Sequence, residues 1–184
     1  MMKKFFAVTL LLFVLVSGAF ALDMNIGAGA LFSTNNYNGN DWDGYYQNGF
    51  GAFAFFGVSR FFDINLGFIN KKDDWDDTTG AIQFGLYFKY PFATLNDRFV
   101  FFPSLGIDFE YALYSWAQED EGWDMWHELY FRGGLGLDLF ITEKFFLRGH
   151  ILYGVALPLG TEDRDYYPEL AHGLLAKLGI GWMF

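Results

Sequence analysis

After Leu22, positions alternate between apolar and small or polar residues eight times, and no window sustains the 3.6-residue period of a helix. The pattern predicts strands over residues 23–33, 49–58, 62–69, 80–90, 99–114, 128–140, 145–155 and 171–184. The sixth alternates most cleanly, with Leu129, Phe131, Leu135, Leu137 and Leu139 set against Glu128, Tyr130, Arg132, Gly134, Gly136 and Asp138. In the second, Phe50 and Phe56 lie on one face and Phe53 and Phe55 on the other, so its register stays open. Most segments reach the roughly 9–11 tilted residues that cross a bilayer. The connections alternate in length. Residues 59–61 and 141–144 are tight and 91–98 moderate, whereas 34–48, 70–79, 115–127 and 156–168 are long and polar. Short turns at one end and long loops at the other predict an all-β, eight-stranded antiparallel up-and-down transmembrane β-barrel, with both termini on the periplasmic side.

A soluble barrel with its apolar face inward would show the same alternation. The polar face decides between the two. It carries Gly27, Gly29, Gly51, Gly85, Gly106, Gly134, Gly136, Gly179 and Gly181, which weaken a solvent-facing strand but suit a narrow lumen. The opposite face bears large Leu, Ile and Phe side chains that could not all fit inside. The luminal face also holds Asp63, Asp108, Glu110, Glu128 and Asp138 with Lys89, Arg132, Arg148, Lys177 and His150, five acids against four permanent bases. A hairpin centred near Asp120 sets Asp108 opposite Arg132, and the third-to-fourth connection brings Asp63 near Lys89. Unpaired buried charges cost several kcal/mol each, so a salt-bridged polar plug is expected in place of an open channel.

The first 21 residues have the form of a secretory signal peptide: Lys3 and Lys4, an apolar run over 5–16, and a small-residue cleavage site ending at Ala21. Residues 22–184 then form the outer-membrane β-barrel domain, exported from the cytoplasm. The last strand ends in Trp182, Met183 and Phe184. Here the chain resembles the small outer-membrane barrels of the OmpA transmembrane-domain, OmpX and OmpW kind. The resemblance implies a cell outer membrane location, lipid as a partner, and recognition of Trp182 and Phe184 by the barrel-assembly machinery. The Phe-rich, acidic composition is similar to that of spirochaete barrels.

Composition adds exclusions. There is no cysteine, which removes disulfides, iron–sulfur clusters and cysteine-ligated zinc. A net charge of -10 argues against a nucleic-acid partner. No cofactor motif occurs. The long loops hold Asp41, Asp43, Asp73, Asp74, Asp76, Asp77, Glu119, Asp120, Glu121, Asp124, Glu162, Asp163 and Asp165 against Lys71, Lys72 and Arg164, a sum of -10 within a mature charge of -12. Such a surface attracts cations or basic surface partners. The acidic runs lack EF-hand spacing, so no metal site is assigned. Trp42, Trp75, Trp116, Trp123 and Trp126 lie in or beside these loops, as an outer interfacial girdle would.

The function expected is a non-enzymatic role in membrane structure or in surface interaction and adhesion. Transport of small, hydrophobic molecules is the alternative that the OmpW resemblance implies. A rim acyl-transfer site would need Ser115, His127 and an orienting Asp124 or Glu128 to converge, and no nucleophile motif surrounds Ser115. His150 is placed in the internal polar network, and His172 has no evident partner.

Overall fold

In the computed structural model, which describes residues 23–38, 45–73, 78–94, 98–115, 127–159 and 170–184, the alternating segments pair with their neighbours in chain order. The strands are β1 (Asn25–Asn38), β2 (Tyr45–Ser59), β3 (Phe62–Asp73), β4 (Thr78–Lys89), β5 (Phe92–Thr94), β6 (Phe99–Ser115), β7 (His127–Phe140), β8 (Phe145–Leu159) and β9 (Leu170–Met183). All pairings are antiparallel. β1 pairs with β9 and β4 with β6, so eight long strands close into a barrel. The three-residue β5, absent from the alternation pattern, extends only the β6 edge at the tight-turn end. The signal segment and the tips of the long loops lie outside the described residues.

Closure is staggered. From Gly27 the register steps through Phe55, Asn65, Gly85, Asp108, Tyr130, Ala156 and Ala171, and returns to β1 at Tyr37, ten residues further along. That stagger tilts the strands from the barrel axis, within the 35–45° usual for small membrane barrels.

The strands run further toward the long loops than apolar alternation indicates. β1 continues through Thr34, Asn35, Asn36 and Tyr37 to Asn38, still paired with β2 and β9, and β8 reaches Leu159. In β1 the outward residues here turn polar, at Thr34, Asn36 and Asn38, so the hydrophobic signal ends where the ladder does not, whereas β8 keeps Leu157 and Leu159 outward. The open register of β2 is also resolved: Phe53 and Phe55 are buried inside, while Phe50 faces out at 67% exposure.

The outer wall is apolar around the whole circumference. Leu66, Phe84, Leu105, Leu135, Ile151 and Leu178 project from successive parts of it, Leu135 and Leu178 at 69% exposure. Among the described strand residues this wall carries no acid and one cation, Lys72 near the loop end. A continuous apolar belt far exceeds the few hundred Å² that soluble monomers expose. Closure leaves no backbone edge unpaired along the eight strands, which is the condition for crossing hydrocarbon. The chain is a transmembrane barrel, and lipid covers the belt.

Leu178→Arg should therefore destabilise the folded protein in lipid vesicles by about 2–4 kcal/mol. Urea unfolding followed by tryptophan fluorescence measures this, and an unchanged midpoint would place Leu178 outside the hydrocarbon.

Candidate functional site in the barrel lumen

Ten charged side chains and several rings fill the interior. Gly27, Gly106, Gly136 and Gly181 stand in register with Phe55, Tyr87, Phe102 and Phe146 respectively. A Cβ on Gly136 would meet the Phe102 ring at 2.1 Å, and one on Gly181 the Phe146 ring at 2.3 Å. Each inward ring thus lies flat over a glycine on the neighbouring strand. Phe55, Tyr87 and Phe146 join Leu31, Phe53, Leu152 and Leu175 in one buried apolar cluster inside the barrel.

At the tight-turn end, Arg148 donates to both carboxylate oxygens of Asp138 at 2.6 Å each and to Asp63 Oδ2 at 3.0 Å. Lys89 donates to Asp63 Oδ1 at 2.8 Å. The Arg148 guanidinium also lies 4.4 Å from the Phe55 ring centre and 5.1 Å from that of Phe146, close enough for cation–π contact with both rings.

Toward the long loops lies a larger cluster. Lys71 bridges Glu110 Oε2 at 2.5 Å and Glu128 Oε2 at 2.8 Å. Arg132 pairs with Asp108 at 2.8 Å and Glu110 at 3.3 Å, its guanidinium 3.9 Å from the Tyr130 ring centre. Gln83 donates to Glu110, Tyr130 to Glu128 and Tyr87 to Asp108. Between the two clusters Lys177 lies over the Tyr87 ring at 4.7 Å and the Phe53 ring at 5.5 Å, with Tyr87 Oη 3.5 Å from Nζ. His150 shares a 2.6 Å hydrogen bond with Ser104 and meets the Tyr87 and Phe102 rings edge-on.

Every charged residue assigned to the lumen from the alternation is buried inside: Asp63, Lys89, Asp108, Glu110, Glu128, Arg132, Asp138, Arg148 and Lys177, with His150. Lys71 is a correction. Taken as a loop base, it is 3% exposed in the upper cluster, because β3 extends to Asp73 and odd positions of β3 face inward. Among the described residues the lumen thus buries five acids and five bases, and the residues read from the sequence as long loops, without Lys71, sum to -11. The register is a second correction: Asp108 stands opposite Tyr130, and Arg132 opposite Gly106. Arg132 reaches Asp108 diagonally, as Lys89 reaches Asp63 past Tyr87. Such diagonal contacts follow from long side chains leaning along tilted strands, which residue counting cannot supply.

Other candidates separate. His127 faces outward and stacks on Tyr111, ring centres 4.3 Å apart, while Glu128 points into the lumen. Register places Thr79, on β4, opposite Ser115. Adjacent residues on a strand occupy opposite faces, so Glu128 cannot orient His127. His172 does have a partner: Tyr153, whose Oη lies 2.9 Å from Nδ1. Asp73 ends β3. Asp41, Asp43, Asp74, Asp76, Asp77, Glu119, Asp120, Glu121, Asp124, Glu162, Asp163 and Asp165 lie outside the described residues, as do Trp42, Trp75, Trp116, Trp123 and Trp126. Among the described residues no group of three or more His, Asp or Glu could hold a metal ion. Trp182 projects outward at the seam between β9 and β1, and Phe184 N donates to Met24 O at 2.9 Å.

Closed wall, apolar belt and plugged interior together define an eight-stranded β-barrel of the outer-membrane type. Solved structures share this fold. Neisserial surface protein A superposes with a TM-score of 0.56 at 12% identity over 88% of this chain and 97% of that one. The N-terminal β-barrel domain of Pseudomonas aeruginosa OprF gives 0.51 at 16% identity, over 87% and 97%. The outer membrane protein OprG from Pseudomonas aeruginosa gives 0.51 at 13%, over 90% and 97%. No family model matches the chain, and no curated protein matches it in sequence.

Removing one partner of a buried pair strands the other charge. Asp138→Asn should lower stability by about 3–5 kcal/mol, measured by urea unfolding in vesicles. Gly136→Val should cost about 1–3 kcal/mol by displacing the Phe102 ring, read as a lowered temperature for the heat-modifiable gel shift.

Proposed function

We propose that this protein is a closed outer-membrane barrel that acts at the cell surface, its acidic, aromatic loops binding cations or basic partners in surface interaction or adhesion. The observation that carries this reading is the occluded lumen. Among the described residues five buried acids and five buried bases neutralise one another around a cluster of buried apolar side chains, and eight strands leave no aqueous pore. An interior so filled offers no route for a solute. The residues left to meet partners are the loops, where thirteen acids stand against Lys72 and Arg164. A negative potential at one end raises the local concentration of cationic partners and steers their approach. Recognition of Trp182 and Phe184 by the barrel-assembly machinery belongs to the same reading, since Trp182 is on the closing strand and Phe184 directly follows it.

Two measurements test it. Folded protein in planar bilayers should give no steady single-channel current, and reproducible unitary conductance would overturn the closed-lumen reading. In vesicles, polylysine should bind with an affinity that falls as salt rises, and Asp73, Asp74, Asp76 and Asp77 replaced together by Asn should weaken it several-fold. Equal binding by that variant would remove this loop from the function.

A further inference from the structure

At the tight-turn end the barrel opens into a cavity of about 720 Å³ that surface binding does not use. Its volume lies within the range of small-molecule sites. The floor is the lower ion cluster, from which Lys89, Arg148 and Asp138 reach the cavity. Val100, Phe102, Phe140 and Ile141 supply an apolar side, and Arg60, Arg98 and Glu143 come from the turns around the mouth.

The polar groups here are unequally committed. Arg60 is held by Asp23 at 2.5 Å. Arg148 and Asp138 satisfy each other through two hydrogen bonds. Arg98 also lines the cavity and has no ion-pair partner among the described residues. Asn25 also lines it, is 2% exposed, and has its side-chain oxygen unpartnered. The oxygen and nitrogen of an asparagine amide exchange by a simple flip, so Asn25 can accept or donate into this space. Lys89 has three ammonium donors and one hydrogen bond to a described side chain.

We propose that this mouth is a binding site for a small amphipathic carboxylate. The Arg98 guanidinium takes the carboxylate as a two-pronged charge-assisted pair, with the Asn25 amide as a second polar contact. The apolar body lies against Val100, Phe102, Phe140 and Ile141. One uncommitted guanidinium matches one carboxylate. A dianion such as a phosphate monoester would leave charge unmatched near Asp23, Asp138 and Glu143. With the orientation proposed above the site faces the periplasm, but its chemistry does not depend on the loop function.

The test uses the folded full-length mature chain in phospholipid nanodiscs, titrated with 3-phenylpropionate and followed by the methyl NMR shifts of Val100 and Ile141. Saturable shifts are expected, with binding at least tenfold weaker for the neutral 3-phenylpropionamide and for Arg98→Gln. Phe140→Ala should weaken acid and amide alike. Outward methyls such as Leu135 and Leu178 report whether each variant is folded and whether the probe merely enters lipid. Shifts that rise linearly without saturating would overturn the proposal. So would saturable binding that Arg98→Gln or the amide leaves unchanged.

Discussion

The structure depends on how little room eight strands leave once they close with a stagger of ten residues. An interior of that width holds a few large side chains, and whatever enters it must be fully accommodated. The inward positions meet this limit in complementary ways. Some are glycines. Others are rings laid over those glycines, as Phe55 lies over Gly27 and Phe102 over Gly136. Many of the rest are charged groups that find opposite charges across the lumen. A ring without its glycine would collide with the next strand, and a charge without its partner would stand in a medium that cannot solvate it.

Charge is distributed to suit. The lumen is neutral, the described strand residues of the outer wall carry only Lys72, and nearly all of the excess acidity is assigned to the loops. The barrel wall is therefore electrostatically quiet where it meets hydrocarbon. Burial of matched pairs adds little net stability over an apolar filling, because desolvation offsets the attraction. What the pairs do is reject alternatives. A strand shifted by one residue would send Lys71, Glu110 or Arg148 into lipid, so the charges help to set the register that closes the barrel.

The two ion clusters give the interior unlike ends. Toward the loops, Lys71, Glu110, Glu128 and Arg132 form a network in which each side chain touches at least one opposite charge. Toward the tight turns, the Arg148 and Lys89 cluster forms the floor of an open cavity. One mouth is shaped as a pocket, with apolar walls and, among the described residues, an arginine without an ion-pair partner.

Much of this was legible in the residue pattern, because a period of two states directly which side chains share a face. The eight long strands, the tight turns, the inward glycines and most of the luminal charges follow from it. Strand ends did not, since outward Thr34 and Asn36 look like loop residues while their backbone remains paired. Lys71 was hidden for the same reason. Tertiary closure alone decided that Asp108 meets Arg132 diagonally, that Phe53 and Phe55 point inward, that His172 binds Tyr153, and that Arg98 and Asn25 share a cavity. Alternation is a local property of the chain. Register around a closed barrel is set by all eight strands at once, and contacts across the lumen exist only after the last strand meets the first.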